Sequence, residues 1–578
     1  MTSTAPSQGV TESAPGDAPP PGDTPPSDDV PARGGWTRRQ RAVLAGIAVV
    51  LFGAFTTYAW ARHAKYETTG FDLGIFDQVV RAYAHFDAPT SPLKGVDYNI
   101  LGDHFHPILV LLVPLYWIWA DPRMLLAAQA ALLAVSIVPV AGFARRRFGA
   151  VAGLLVAAAY GVSWPLQQAV HFDFHEIAFA VPLIALLVDA LDRRAHRTVV
   201  ACCLLLLGVR EDMGVLVLLV GLLVSVRALR QGAGAGGGAE ASRPGRRPGL
   251  LLGGGLVVTG AAGYWAATAL VIPAFSPDGF AYWTFPALGP DPAGAVHTIL
   301  RHPLRVARLM VLPPVKFHTL VTIFYPTGLL ALFSPYVLFT LPFLAERMLN
   351  ERSFLWETHF HYTSVIEPIV VLAAVDTVGR LVRRFPRALG TRRPRGVPLG
   401  VVPAFVVWVV AVPVYMLSVG GSDYPLNGLW TGRVWSRPVR WQAVHDVLPM
   451  IPPGECVEAD NQLAPQLTSR DHVTRITSAP TAKVQVSGSQ GRATWVVLDL
   501  SPGRPDTGWQ GDPPRVALAA ALQRGYRIVW QSAPIPATTP SAVSAVTGRP
   551  LSADARATGP VILLHKDQPV DPSCRRLY

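Results

Sequence analysis

The stretch RRQRAVLAGIAVVLFGAFTTYAW, residues 38–60, decides the fold class of this chain. It joins a basic cluster at residues 38–41 to an apolar run at residues 42–60, which is long enough to cross a bilayer as a helix. The run is too long for the core of a cleaved signal peptide, and more apolar runs follow it. Because basic residues flank membrane spans on the cytoplasmic side, the N-terminus is predicted to be cytoplasmic.

Similar apolar runs recur over most of the 578 residues, of which 50% are hydrophobic and only 15% are charged. Placing the arginine-rich loops in the cytoplasm divides these runs into about eleven spans. The shorter run at residues 108–120, which contains Pro114, is predicted to lie at the outer interface. A crossing there would put Arg145, Arg146 and Arg147 outside. The chain is therefore predicted to be an α-helical polytopic protein of the cell membrane, embedded in the lipid bilayer.

The net charge of +12 comes mostly from arginines in short loops, so it indicates membrane orientation. The sequence contains no zinc-finger spacing and no RNA-binding motif. No nucleic-acid partner is expected.

Three parts of the chain differ in composition. Residues 1–37 are rich in Pro, Ser, Thr, Asp and Gly and predict a disordered cytoplasmic tail. Residues 38–419 form the predicted membrane domain, and residues 420–578 a small extracytoplasmic α/β domain. Within the membrane domain we expect two outer juxtamembrane loops and a flexible cytoplasmic linker, at residues 62–122, 273–317 and 227–248.

The predicted α/β domain shows short apolar segments separated by Pro- and Gly-rich joints. Strands are predicted at residues 456–458, 494–500, 526–531 and 561–565, and helices at residues 440–448 and 516–524. Cys456 and Cys574 would share an oxidising compartment, which permits a disulfide between them without requiring it. Cys202 and Cys203 fall inside a span and are expected to be packing residues.

In this topology every cluster of Asp, Glu and His near the spans falls on the outer face. Ionisable groups are costly near a bilayer, so their convergence predicts a shared site of a membrane enzyme or transporter. The first cluster is FDLGIFDQ, residues 71–78. Asp72 is either a helix cap, since it follows Thr69 in an order that resembles a capping box, or a catalytic general base. Asp77 faces another direction and is the second catalytic candidate.

Two segments that begin at Asp103 and His171, DHFH and HFDFH, alternate polar and aromatic residues. In extended backbone His171, Asp173 and His175 would face the same way and would suit a divalent metal ion as cofactor. Asp103 with His104 or His106 would complete that site. A second interpretation is that these histidines bind phosphate. A third is that the aromatic rings anchor in the headgroup layer while the polar groups face water.

Arg210, Glu211 and Asp212 follow a purely apolar run. They form either a local ion pair or a phosphate site, in which Arg210 binds the anion and Glu211 fixes the arginine rotamer. Lys316 adds positive charge at the same depth, or it is an interface lysine that reaches the headgroups. Tyr362 belongs to a polar entry into a span, which favours either ligand contact or interface anchoring.

These motifs resemble a bacterial multispanning family known as domain of unknown function 2079. The matching segments are residues 71–78, 102–105, 171–175, 210–212, 361–363 and 451–467. The resemblance covers roughly residues 58–500 and leaves out the N-terminal tail and the linker. The family is similar to the C-type (GT-C) glycosyltransferases, membrane enzymes with an acidic residue in the first outer loop and a core that takes lipid-phosphate sugars. The resemblance implies a GT-C-like fold with Asp72 as that residue, although Asp72-Leu73 stands where the superfamily has a paired Asp-Glu.

Three functional hypotheses follow. The first is an inverting glycosyltransferase that moves a polyprenyl-phosphate-linked sugar to an acceptor of the cell envelope. Asp72 would take the acceptor proton, and Arg210, with His171 or His175 and Lys316, would stabilise the departing phosphate. The second is a transporter or lipid-handling protein, which the position of the clusters at span ends and the absence of a visible repeat disfavour. The third is a non-catalytic partner in envelope assembly.

Overall fold

The structure is a computed structural model that describes residues 35–95, 97–233, 246–276, 279–384, 400–419, 424–476, 492–501, 514–535 and 559–575. The predicted tail lies outside the described residues except for residues 35–37, and residues 234–245 of the predicted linker also lie outside them.

Most of the described chain up to residue 419 is helical. The helices are α1 Arg38–Ala64, α2 Ile75–Ala84, α3 Val113–Ile118, α4 Pro122–Val135, α5 Ile137–Phe148, α6 Ala150–Gly161, α7 Trp164–His171, α8 Ala180–Arg193, α9 His196–Leu207, α10 Met213–Ala233, α11 Arg246–Ala266, α12 Ile272–Phe275, α13 Pro292–Arg301, α14 Pro303–Val311, α15 Pro314–Phe324, α16 Leu341–Leu349, α17 Glu367–Arg384 and α18 Val401–Val419. Helix α1 begins at a capping box, in which the side chains of Thr37 and Gln40 each accept the other's backbone N–H.

Six helical stretches of the described chain are long and apolar enough to cross a membrane. They are Arg38–Ala64, Pro122–Phe148, Ala150–His171, Met213–Arg230, Arg247–Phe275 and Val401–Val419. A seventh is present if Pro303–Val311 and Pro314–Thr327, bent by 79° at their junction, form one span. The predicted number of about eleven also counted shorter or more polar helices, among them α8, α9 and α17.

Two groups of charged residues mark the two ends of the helical bundle. At what we call the arginine end, Arg147 of α5 bonds to Asp192 of α8 at 2.6 Å and to Asp376 of α17 at 3.0 Å. At the other end, the cavity end, Glu176 before α8 and His361 before α17 line one cavity. Although α8 has only 14 residues, it therefore runs from one end of the bundle to the other, as α17 does. These helices account for the larger predicted number of spans.

Helices α10 and α11 pack closely because glycines face each other along their contact. A Cβ atom at Gly253 would lie 2.8 Å from the carbonyl oxygen of Gly221, and one at Gly260 would lie 2.5 Å from that of Gly214. Small residues allow this backbone approach, which stabilises helix pairs in a membrane where apolar burial gives little driving force.

A five-stranded sheet follows the bundle, together with helices α19 Gly428–Thr431, α20 Trp441–Val447 and α21 Pro514–Gln523. Its strands are β1 Cys456–Ala459, β2 His472–Arg475, β3 Trp495–Asp499, β4 Arg527–Gln531 and β5 Val561–His565. The order is β2-β1-β3-β5-β4, with β1 parallel to β2 and β3, and β5 antiparallel to β3 and β4. The four predicted strands and two predicted helices are confirmed, whereas β2 was missed.

Polar contacts and a disulfide fix this α/β domain. Arg440 bonds to Asp499 of β3 at 2.5 Å and to the backbone carbonyl of Tyr66, just after α1. Cys456 of β1 and Cys574 form the disulfide that the sequence had left open. The domain is thereby attached beside the turn that connects α1 to α2.

Candidate active site

A cavity of about 550 Å³ lies at the cavity end of the bundle, next to the α/β domain. Its charged and polar wall residues include Asp72, Lys94, Asp103, His104, His175, Glu176, Arg210, Glu211, Asp212, Glu346, Arg352, His361 and Tyr362. Helices α13 and α16 contribute apolar side chains, namely Ile299, Pro342, Ala345 and Leu349. The cavity thus offers both ionic and apolar contacts to a ligand.

The backbone turns sharply at Asp72, with φ 91° and ψ −72°. This γ-turn conformation is strained for a residue with a side chain. Asp72 is not helical, the Thr69 side chain makes no capping bond, and α2 begins only at Ile75. The interpretation of Asp72 as a helix cap is therefore wrong.

On one side, the segment before Asp72 is fixed by a carboxylate of the membrane bundle. The Asp173 Oδ2 atom accepts hydrogen bonds from the backbone N–H of Thr69 at 2.8 Å and from its hydroxyl at 3.2 Å. Arg62 of α1 bonds to Asp173 Oδ1 at 2.7 Å, which compensates the charge of this buried carboxylate. Asp173 therefore positions the turn.

On the other side, the same segment is fixed by the α/β domain. The Gly70 N–H donates to the carbonyl oxygen of Asn461 at 2.6 Å, and the Phe71 N–H donates to the Asn461 side-chain oxygen at 2.9 Å. A Cβ atom at Gly70 would lie 2.7 Å from the Cβ of Ala464, so only glycine allows this approach. The turn at Asp72 is held from both domains.

The carboxylate of Asp72 lines the cavity and makes no hydrogen bond or ion pair with another side chain in the described part of the chain. Burial raises the pKa of Asp72 to about 6; the nearby His175 offsets part of this increase, and Glu176 adds to it. An unpaired carboxylate with a pKa in this range suits a general base.

Asp103 is surrounded by two partners that the sequence analysis had not considered. Lys94 Nζ lies 2.9 Å from Asp103 Oδ2, and the Tyr282 hydroxyl donates to Asp103 Oδ1 at 2.6 Å. Burial alone would raise the pKa of Asp103, but Lys94, the neighbouring His104 and the tyrosine hydroxyl hold it well below its usual value. Asp103 is therefore a fixed anion that neutralises Lys94.

His104 pairs with Glu211, whose Oε1 atom lies 2.7 Å from the imidazole Nδ1 atom. Burial would lower the pKa of His104, but the Glu211 carboxylate outweighs burial and raises the pKa to about 9. The backbone N–H of Phe105 also donates to Glu211 at 3.1 Å. His104 is consequently a cation at neutral pH.

Arg210 forms a bidentate pair with Asp212, at 2.8 Å and 2.7 Å, and its Nη2 atom lies 3.4 Å from Glu346. The expectation that Glu211 fixes the rotamer of Arg210 is therefore wrong, because Asp212 does so while Glu211 binds His104. Two carboxylates already compensate Arg210, which makes it a weaker anion ligand than the sequence suggested.

Arg352 was not singled out in the sequence, although it lines the same cavity. The Arg352 guanidinium lies 5.3 Å from the ring centre of Tyr282. The Tyr282 ring also stacks on the His104 ring, with their centres 4.1 Å apart. Within the described ranges Arg352 forms no ion pair with any carboxylate. The sequence around Arg352 did not indicate this contact, because Tyr282 is remote in the chain. The adjacent residues Glu351 and Ser353 are exposed.

The HFDFH segment sends its side chains in different directions. His175 lines the cavity, lies 2.7 Å from Glu176 Oε2 and stacks on His361 at 3.9 Å. His171 is exposed and shares a hydrogen bond of 2.7 Å with Tyr58. Since Asp173 binds Arg62 and Thr69, the predicted metal set of His171, Asp173 and His175 does not converge.

Two further predicted site residues lie away from the cavity. Asp77 is fully buried and accepts a hydrogen bond from the Tyr116 hydroxyl at 2.7 Å, with Arg81 at 3.4 Å. Lys316 donates to the backbone carbonyls of Leu309 and Met348 and lies 4.3 Å from the ring centre of Trp356. Both side chains stabilise the fold, so their proposed roles at the site are corrected.

Tyr362 does line the cavity, beside His361 at 4.3 Å and Arg347 at 5.9 Å. Arg347 fixes the surrounding loop, since it donates to the carbonyls of Leu355 and Glu357 and to the Thr363 hydroxyl. Tyr362 is thereby presented to the cavity by a structural arginine.

In the described residues, one group of three metal-ligand types lies close enough together to share an ion, namely Cys456, His472 and Cys574. Its two sulfur atoms are bonded to each other, and none of the three residues lines the cavity. The metal prediction therefore receives no support from the geometry of the candidate site.

Comparison with known proteins places the chain in a family. The family model described as "Predicted membrane protein (DUF2079)" matches residues 62–531. The chain belongs to the DUF2079 family. The resemblance inferred from the motifs is thereby confirmed, and among curated proteins no sequence matches the chain.

Members of this family had been expected to have a GT-C-like fold. The chain is similar to ArnT from Cupriavidus metallidurans bound to undecaprenyl phosphate, with 14% identity and a TM-score of 0.48 over 89% of this chain and 97% of that one. The same protein in the apo state is 13% identical, with a TM-score of 0.43 over 90% of this chain and 98% of that one. The apo oligosaccharyltransferase of Archaeoglobus fulgidus is 12% identical, with a TM-score of 0.38 over 91% of this chain and 88% of that one. Both proteins are GT-C glycosyltransferases, but the overlaps are loose, so function has to be argued from the cavity of this chain.

Proposed function

We propose that this chain is a membrane glycosyltransferase that moves a sugar from a polyprenyl-phosphate carrier to an acceptor outside the cytoplasm. The observation that carries the proposal is the unpaired carboxylate of Asp72, held in a strained turn on the wall of a cavity. Strained backbone and carboxylates with a shifted pKa cluster at functional sites, which favours a role for Asp72 in acting on a ligand.

In the proposed reaction Asp72 accepts the proton of the acceptor hydroxyl. The hydroxyl oxygen bonds to the anomeric carbon of the sugar as the bond from that carbon to the phosphate oxygen breaks. The lipid phosphate leaves as an anion and needs positive charge nearby. Arg352 is our first candidate for that role because it has no carboxylate partner in the described chain, whereas Lys94 and His104 are each paired with a carboxylate.

The apolar residues of α13 and α16 support a lipid donor. Ile299, Ala345 and Leu349 give the cavity a wall that would suit the first isoprene units of the carrier. One structurally similar protein, ArnT, was crystallised with undecaprenyl phosphate.

The direction of the chain in the membrane belongs to the same proposal. The basic loops at the arginine end favour a cytoplasmic location for that end and for the N-terminus. The cavity and the α/β domain then lie outside, where the domain contributes to acceptor choice. The disulfide between Cys456 and Cys574 fits such an oxidising compartment.

The test uses purified full-length protein with the lipid-linked sugars that accumulate in a deletion strain, identified by mass spectrometry. Asp72→Asn is expected to abolish transfer at normal protein levels, because the amide cannot accept the proton. Asp87→Asn, at an exposed aspartate outside the cavity wall, is the matched control and should retain transfer. Full activity of Asp72→Asn rejects the assignment, and movement of the lipid without a covalent product favours a transporter instead.

A further inference from the structure

A second cavity, of about 1190 Å³, lies at the arginine end of the bundle. Its wall is formed by the ends of α5, α8, α10 and α17 and the starts of α9 and α11. The arginines in this wall are Arg146, Arg147, Arg193, Arg194, Arg227, Arg230, Arg380 and Arg383. Among the described residues, two carboxylates line it with them, Asp192 and Asp376.

Both carboxylates are already shared by arginines. Asp192 binds Arg146 at 3.0 Å and Arg147 at 2.6 Å, and Asp376 binds Arg147 at 3.0 Å and Arg380 at 3.1 Å. The charges of Asp192 and Asp376 are therefore already compensated, and they do not neutralise the remaining arginines of the wall.

Four arginines of the wall make no ion pair with a described residue: Arg194, Arg227, Arg230 and Arg383. Arg227 is nevertheless held in place, since it donates to the carbonyl of Leu191 and lies 5.1 Å from the ring centre of Tyr336. Arg194, Arg230 and Arg383 are exposed.

The usual excess of arginine in cytoplasmic loops does not explain this arrangement. That excess requires basic residues near span ends, but not their convergence on one concave surface whose carboxylates are saturated. Like charges in a concavity repel one another and focus a positive potential, which a bound anion relieves. The shape and the charge together indicate a ligand with more than one anionic group.

The same cavity has apolar wall residues between the helices, among them Val199 of α9, Val224 of α10 and Leu252 of α11. The residue before Leu252, Leu251, is 77% exposed. Apolar side chains therefore lie beside the arginines of this cavity, as expected for a phospholipid whose headgroup enters it.

We propose that this second cavity binds a ligand carrying two phosphate-type anions, and that the ligand is an anionic phospholipid of the surrounding leaflet. The site is at the opposite end of the bundle from Asp72 and does not depend on the proposed glycosyltransferase activity. Its chemistry is that of guanidinium groups with phosphate oxygens.

The test compares the full-length protein with two variants in phosphatidylcholine bilayer discs that contain cardiolipin as a minor component. The pocket variant carries Arg194→Asn, Arg230→Gln and Arg383→Gln; asparagine is used at position 194 because its backbone is left-handed, with φ 58°. The control variant carries Arg38→Gln, Arg39→Gln and Arg41→Gln, exposed arginines at the start of α1. This start lies near the same end, since Arg145 at the end of α5 lies over Trp36.

Native mass spectrometry of the released protein counts the bound cardiolipin. We expect the wild type and the control variant to retain it, and the pocket variant to lose at least about tenfold in occupancy. Equal losses in both variants, or no preference of the wild type for cardiolipin over phosphatidylcholine, would overturn the proposal. A separate arm adds pyrophosphate to lipid-free protein in detergent, and pyrophosphate binding tighter than that of cardiolipin would show that the ligand is soluble and would reject the phospholipid.

Discussion

At the scale of single residues, the turn at Asp72 depends on groups that are distant in the chain. Asp173 accepts hydrogen bonds from Thr69, and Asn461 accepts them from Gly70 and Phe71. Because a displacement of about 1 Å at a catalytic group can cost up to about 100-fold in rate, these acceptors are expected to act as positioning residues.

The first prediction concerns Asn461. Asn461→Ala should lower the turnover rate roughly ten- to hundredfold with little change in KM, because it releases the Phe71 N–H without touching substrate. Asn461→Asp retains an oxygen acceptor and should restore most of the rate. Steady-state kinetics measures both values, and an Asn461→Ala variant with wild-type turnover would contradict the positioning role.

The second prediction concerns pH. A general base works only when it is ionised, and burial raises the pKa of Asp72 to about 6. Transfer should therefore be weak at about pH 5, half-maximal near pH 6 and complete above about pH 7. Initial rates across this interval check the profile, with Asp87→Asn expected to follow the wild type. A flat profile would show that no group with this pKa limits the reaction.

Sequence patterns located the site at residue level better than they assigned partners. Asp72, Asp103, His104, His175, Arg210, Glu211 and Tyr362 were expected near one site, and all line the cavity. Asp77, His171, Asp173 and Lys316 do not line it. A charged or polar residue beside an apolar segment looks the same in sequence whether it contacts a ligand or a partner within the protein. The partners Tyr282, Glu346 and Asn461 lie far away in sequence, which local spacing cannot detect.

At the scale of elements, long apolar runs predicted the spanning helices because length and composition are sufficient signals. The segment at residues 273–317, which we predicted to be an outer loop, contains helices α13 and α14, which were not predicted. Helix α13 has 10 residues and α14 has 9, and each starts at a proline. Helices this short do not give the long apolar runs from which the spans were predicted. Strand β2, with four residues, was missed because it forms only through its pairing with β1.

The third prediction belongs to the pair of α10 and α11. Gly253→Val should destabilise the protein by about 1–3 kcal/mol, because the new side chain would overlap the backbone of Gly221 and Ser225. Gly254→Val places the same side chain one residue later, where no atom lies within 4 Å, and should be tolerated. Thermal unfolding in detergent compares the two midpoints. Equal midpoints would argue against close packing of these helices.

At the scale of the whole molecule, the bundle carries two cavities of different charge character at its two ends, and a disulfide-linked domain beside one of them. The alternation of basic and acidic loops predicted this separation of charge. It could not predict that each group would close around a cavity, because that depends on how helices pack in three dimensions.

The fourth prediction concerns the disulfide. Cys456 and Cys574 are 118 residues apart, and closing a loop of this size should stabilise the folded domain by about 4–5 kcal/mol in a chain-entropy description. Reductant should therefore lower the unfolding midpoint of the wild type. A Cys456→Ser, Cys574→Ser variant should unfold at the lower temperature with or without reductant. An unchanged midpoint after reduction, verified by intact mass, would contradict the prediction.

The contact between Gly70 and Asn461 leaves no room for a side chain at position 70. The backbones of the bundle and of the α/β domain are therefore hydrogen-bonded to each other beside the Asp72 carboxylate. Separation of the α/β domain from the helical bundle would therefore also release Asp72 from its fixed position. If Asp72 is the general base that we propose, its position depends on the α/β domain as much as on the helical bundle.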